Sequence, residues 1–83
     1  MPKVTILFFA HARELVDKAE DSIEVDHKMA YEDLKEKIFS KFEPIRGLKT
    51  FLIALNHDYL EPGSSVQLKD SDVIAIIPPV GGG

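Results

Sequence analysis

Residues 4–10 are crowded with Val, Ile, Phe and Thr, a composition that predicts a β-strand. Side chains alternate along a strand, so Val4, Ile6 and Phe8 project one way and Thr5, Leu7 and Phe9 the other. Both sides are largely apolar. Such a strand is either covered on both faces, or covered on one with an adhesive patch on the other. Residues 11–16 read as a short helical turn with Leu15 and Val16 facing inward, followed by a charged loop over 17–21. Residues 22–26 alternate, with Ile23 and Val25 on one face, and form a second strand antiparallel to the first.

The clearest helix spans residues 31–42. Leu34, Ile38 and Phe42 recur every four residues, with Tyr31 one turn earlier, and make one apolar stripe. Lys35, Glu36, Lys37 and Lys41 occupy the solvent side, and Pro44 and Gly47 stop the helix. A third strand is expected over 50–55. Asn56-His57-Asp58 supplies turn chemistry, and Tyr59-Leu60 a brief return strand. Pro62-Gly63 is another turn, 66–68 a short strand, Asp70-Ser71-Asp72 a tight turn, and 73–77 the last strand.

The order is strand, strand, helix, strand, short strand, strand. The first and last strands are the most apolar and belong at the centre of a mixed sheet of about five strands, with the helix on one face. This is an α+β architecture, the β-grasp, over residues 1–77 with an extended tail over 78–83. Ile6, Phe8, Ile74 and Ile76 then face the helix. Leu7, Phe9, Ala75 and Ile77 fall on the opposite face with no helix to cover them, which predicts a protein partner there.

Composition narrows the function. With 83 residues and 45% apolar content the chain makes one domain, too small to enclose a private catalytic pocket. A carrier, a binding module or a subunit of a larger assembly is favoured. A net charge of −4 without a basic stripe argues against nucleic acid. The absence of cysteine excludes disulfides, thiolate metal sites and cysteine nucleophiles, so any sulfur chemistry uses sulfur from outside. No secretory leader and no apolar run of membrane-spanning length is evident, which makes the cytoplasm the expected compartment and a membrane an unexpected partner. His11, His27 and His57 lack metal-site spacing, so no metal site is expected.

The tail reads Pro78-Pro79-Val80-Gly81-Gly82-Gly83. Its prolines stiffen the base by fixing φ, and its glycines leave the tip without side chains. Six extended residues reach about 20 Å. A tip that enters a narrow channel with its α-carboxylate leading needs residues without a Cβ. An ionised carboxylate is a poor electrophile. Adenylation makes it a mixed anhydride, and a sulfur nucleophile then displaces AMP to leave a thiocarboxylate.

Three segments together carry a family resemblance: Leu7-Phe8-Phe9-Ala10 with Arg13-Glu14-Leu15, then Ala54-Leu55-Asn56, then 72–80 before the glycines. The chain resembles the small subunit of molybdopterin synthase, the MoaD branch of the ubiquitin-like sulfur carriers, over its full length. It departs from that pattern at Asp70-Ser71-Asp72, where the family commonly has Asp-Gly-Asp, which implies a turn without positive φ. It departs again at Gly81, where Ser, Thr or Ala is usual.

The resemblance implies that Gly83 is the reactive end. An adenylyltransferase related to ubiquitin-activating enzymes would bind the tail with ATP and Mg²⁺. This chain has no phosphate-binding glycine loop, so the nucleotide belongs to that partner. A sulfurtransferase would supply sulfur to form the thiocarboxylate. The charged carrier would then dock on the large subunit, in an assembly of two small and two large subunits, and pass sulfur to cyclic pyranopterin monophosphate to build the molybdopterin dithiolene. The catalytic pocket would be the large subunit's. By position, Phe9, Tyr59 and Ile77 match the family's exposed apolar patch. A carrier for thiamin thiazole synthesis and a ubiquitin-like modifier joined to targets through Gly83 are the alternatives.

Overall fold

The computed structural model describes residues 1–48 and 50–78. In chain order its elements are β1 (Lys3–Phe8), α1 (Ala10–Val16), β2 (Glu20–Glu24), β3 (Lys28–Ala30), α2 (Tyr31–Lys41), a 3₁₀ helix (Glu43–Gly47), β4 (Leu52–Leu55), β5 (Asp58–Tyr59), β6 (Ser65–Gln67) and β7 (Val73–Ile77). The main sheet has five strands in the order β2-β1-β7-β4-β5. The two most apolar strands lie inside it, as expected. β1 and β7 run parallel, with Thr5 opposite Val73 and Phe8 opposite Ile76. The β1–β2, β4–β7 and β4–β5 pairs are antiparallel. This is the mixed β-grasp sheet.

One face of that sheet carries the core. Val4, Ile6, Phe8, Ile53, Ile74 and Ile76 are buried with Tyr31, Leu34 and Ile38 of α2 and with Phe42 just beyond it. Phe8 and Phe42 meet edge to face at 5.0 Å between ring centroids. Each aliphatic side chain removed from water here is worth about 1.5–3 kcal/mol. The start of α2 has no side-chain cap. Instead the Tyr31 N–H donates to the Ser64 carbonyl at 2.9 Å, and Glu32 Oε1 accepts the Gly63 N–H at 3.2 Å. Glu32 and Asp33 in the first turn also suit the positive end of the helix dipole.

The structure corrects the reading from sequence at several points. Residues 66–68 do not join the main sheet. The strand there is β6, which pairs with β3 in a separate two-stranded ribbon, Met29 opposite Val66. β3 has no alternating apolar signature, because Met29 is its sole apolar side chain larger than alanine. Pro44 and Gly47 lie within a 3₁₀ helix rather than simply ending α2. β2 begins two residues earlier than expected and takes in Glu20 and Asp21. In α1 the buried residue is Ala12, while Leu15 and Val16 are only half covered.

The turn over 70–72 does not avoid positive φ. Ser71 has φ 72. Such a conformation costs a non-glycine residue about 1 kcal/mol or more, and the surroundings must hold it. Lys3 N–H donates to Asp70 Oδ1 at 2.8 Å and the Ser71 N–H to the Lys3 carbonyl at 3.2 Å. Asp72, itself buried, accepts the Lys69 N–H at 3.0 Å. The turn is thus bolted to the start of β1.

Candidate docking face and tail root

Parallel pairing sends β1 and β7 in the same direction, so their C-terminal ends emerge together. Phe9 follows one and Pro78 the other. Phe9 is held through its backbone: its N–H donates to the Ile76 carbonyl at 3.2 Å, and its carbonyl accepts from the Ala12 N–H at 3.0 Å. Ala10 has φ 48, which turns the chain sharply into α1. With the backbone fixed on both sides, Phe9 stays 45% exposed on the face away from α2.

Tyr59 arrives by a different device. β4 and β5 are joined by Asn56-His57, with Leu55 opposite Asp58. Both loop residues have positive φ, 48 and 81, the signature of a mirror-image two-residue hairpin turn. Asn56 stabilises it. Its Oδ1 accepts the Val73 N–H at 2.9 Å and its Nδ2 donates to Asp72 Oδ1 at 2.9 Å, while its own N–H reaches the Val73 carbonyl at 2.9 Å. These bonds tie the hairpin to the beginning of β7 and satisfy the buried Asp72 carboxylate. They fix Tyr59 opposite Ala54, where the residue is 63% exposed.

Between these anchors lies a shallow trough of about 390 Å³ on the uncovered face. Leu7, Phe9, Tyr59, Ala75 and Ile77 line it, with Asn56 and His57 at its rim. Phe9, Tyr59 and Ile77, singled out from the sequence, therefore share one surface. Ile77 is half covered, and Pro78 beyond it is buried. Pro79, Val80, Gly81, Gly82 and Gly83 lie outside the described residues. Leu52 completes the face: it pairs with Ile77 and is half exposed. Alternation along β4 puts Leu52 and Ala54 on one side. Only the register across to β7 reveals that this side is the open one.

Two larger depressions, of about 650 and 520 Å³, lie beside β2 and beside the β3–β6 ribbon. Both have more polar linings, and neither includes Phe9, Tyr59 or Ile77. Among the described residues no group of three or more His, Cys, Asp or Glu side chains is placed to hold a metal ion. No helix there is long and apolar enough to cross a membrane. What the face offers chemically is therefore recognition: an apolar contact surface that ends where the tail begins.

Known proteins share this fold. The family model that matches is that of the ThiS family, over residues 6–83. The molybdopterin synthase sulfur carrier subunit of Caenorhabditis briggsae is 34% identical over 84 residues, covering 100% of both chains. That of Chlamydomonas reinhardtii is 35% identical over 98% of this chain and 99% of its own. Among solved structures, a putative molybdopterin converting factor subunit 1 from Pyrococcus furiosus superposes with a TM-score of 0.77 at 29% identity, covering 96% of this chain and 100% of that one. Subunit 1 or 2 in a complex of the molybdopterin-converting factor from Helicobacter pylori gives 0.68 at 28% identity, over 98% and 99%. The small archaeal modifier protein 1 of Methanosarcina acetivorans gives 0.76 at 27%, over 100% and 98%. With its sheet covered by one helix, its open apolar face and this likeness over the whole length, the chain belongs to the ThiS/MoaD family of ubiquitin-like β-grasp proteins.

Proposed function

We propose that the chain is the sulfur carrier subunit of a molybdopterin synthase, delivering sulfur from its C-terminal glycine. The observation that carries this reading is the continuity of the open face with the tail root. Phe9, Tyr59, Leu52 and Ile77 surround the end of β7 from which residues 78–83 depart. A partner that docks on this face has the terminal carboxylate within about 20 Å of the contact. The likeness to curated sulfur carrier subunits over the full chain supplies the chemistry.

In this cycle the Gly83 carboxylate attacks the α-phosphorus of ATP, and pyrophosphate leaves. A partner adenylyltransferase holds the nucleotide and Mg²⁺. The outer sulfur of a sulfurtransferase persulfide attacks the acyl carbon and AMP leaves; a thiol then cleaves the resulting acyl disulfide, releasing the terminus as a thiocarboxylate and leaving a disulfide on the donor. The large subunit then receives the tail in its own catalytic pocket, where sulfur passes to cyclic pyranopterin monophosphate. We place the cycle in the cytoplasm, where thiol donors stay reduced. The domain itself supplies rigid aim: the Asn56–Asp72 contacts and the β1–β7 ladder hold the face, and the tail carries the reactive atom.

Incubation with ATP, the adenylyltransferase and a sulfur donor tests this directly. Intact mass spectrometry should show a gain of about 16 Da, oxygen replaced by sulfur at the terminus. An unchanged mass under conditions that charge a known sulfur carrier would count decisively against it. The likeness to a small archaeal modifier protein favours a second reading, conjugation through Gly83 to lysines on other proteins. Adenylation precedes both fates. Isopeptide-linked Gly83 on other proteins in cell extracts would select the modifier.

A further inference from the structure

The sheet has two edges, and they are finished differently. At β2 the outward-facing backbone groups of Ser22 are both occupied by the chain's own side chains. Asp21 Oδ1 accepts the Ser22 N–H at 2.7 Å, and Lys41 Nζ donates to the Ser22 carbonyl at 2.6 Å. Lys18 Nζ holds the other Asp21 oxygen at 2.9 Å. At Ser22 the edge therefore has no free backbone group to offer an added strand.

The opposite edge is left open near the tail. β5 is two residues long, and its ladder ends where the Leu60 N–H donates to the Ile53 carbonyl at 2.8 Å. Pro62 and Gly63, at φ 85, then turn the chain away. β4 continues to Leu52, paired with Ile77. Hydrogen bonding alternates along a strand: Asn56 points its N–H at β7, and Ile53 points its carbonyl at the β5 side. Phe51 therefore directs its N–H and carbonyl outward, and neither has a hydrogen-bond partner among the described residues.

The side chains around this gap have a definite chemistry. On the open face stands the half-exposed Leu52. On the other face, Lys35 Nζ lies 5.6 Å from the Phe51 ring centroid and 5.9 Å from that of Phe39. Arg46 beside it is already engaged by Glu36 at 2.7 Å and Glu43 at 3.1 Å. Lys35 has no carboxylate partner among the described residues.

We infer that the β4 edge at Phe51 accepts an extended strand of the large subunit, apolar on the side that meets Leu52 and acidic on the side that meets Lys35. This deepens, and rests on, the reading of the chain as a molybdopterin synthase subunit. Strand addition derives affinity from backbone hydrogen bonds and specificity from alternate side chains. Here it also fixes direction. The guest strand lies three strands from β1 and next but one to Ile77, so it sets the orientation of the partner relative to the tail root. Contact through the apolar trough alone leaves rotation about that face unconstrained.

Amide hydrogen exchange on the ¹⁵N-labelled full chain, free and bound to the large subunit, tests the inference. The Phe51 amide should exchange rapidly in the free chain and at least about 100-fold more slowly in the complex. Ser22 should not change. The Lys35→Glu variant should raise the Kd about tenfold, and Lys35→Arg should restore it. Unchanged Phe51 exchange in a complex that still shifts the resonances of Phe9 and Ile77 overturns strand addition and leaves the functional reading standing. An unaltered Kd in Lys35→Glu overturns the acidic strand. Concentration-dependent protection of Phe51 without partner assigns the edge to a second copy of this chain and overturns the proposal. Absence of any binding to the large subunit overturns the functional reading and this inference with it.

Discussion

Ile74 and Ile76 on one side of β7 are fully buried, whereas Val73, Ala75 and Ile77 on the other are only half covered. One five-residue strand thus serves two purposes through the same alternation. The buried side meets α2 and holds the domain together. The half-covered side carries apolar groups whose exposure gains nothing for the isolated chain. Residues of nearly identical chemistry are therefore separated by which face they occupy. A substitution should injure folding or docking according to that face.

The largest separation is expected at Ile76→Ala. It leaves a cavity in a packed core and should destabilise the domain by about 2–5 kcal/mol, measured by urea unfolding. A loss below about 1 kcal/mol would mean that the helix-covered side is not the structural one. Phe9→Asp is the counterpart on the open face. It should weaken large-subunit binding by about 2 kcal/mol in a titration, with little change in the thermal midpoint. Unfolding of that variant would move Phe9 from docking to core.

The smallest effect is expected at the closed β2 edge. The Lys18 ammonium and the Ser22 N–H hold the Asp21 carboxylate below its usual pKa. A carboxylate depressed in the folded state contributes stability above its unfolded pKa and loses it as pH falls through the folded value. Protection of the Ser22 amide should therefore fall on acidification below the ordinary carboxylate range of about 4, and Asp21→Asn should flatten that profile. A profile unchanged by the substitution would separate the closed edge from Asp21.

Much of this was legible from residues alone. The both-sided apolar strand, expected over 4–10 and found as Lys3–Phe8 with Ala10 already in α1, and the stripe Leu34-Ile38-Phe42 announce themselves in their spacing, because each has a strong local period. Phe9 and Ile77 fell on the open face by alternation. What escaped was non-local. β3 is a strand only because Val66 lies opposite Met29. Ser71 adopts positive φ because Lys3, far along the chain, clamps its turn. Leu52 belongs to the docking face only through its register with Ile77. In each case the deciding contact lies outside any short window of sequence.

The parallel pairing of β1 and β7 has a practical consequence for handling the protein. Lys3 stands at one end of the sheet and Phe9, Ile77 and Pro78 at the other, separated by the length of β1, about 17 Å at strand spacing. Met1 is 70% exposed at the far end. A fluorophore, affinity handle or surface tether attached there points away from the docking face. An attachment at the C-terminus consumes the one carboxylate on which the proposed chemistry depends.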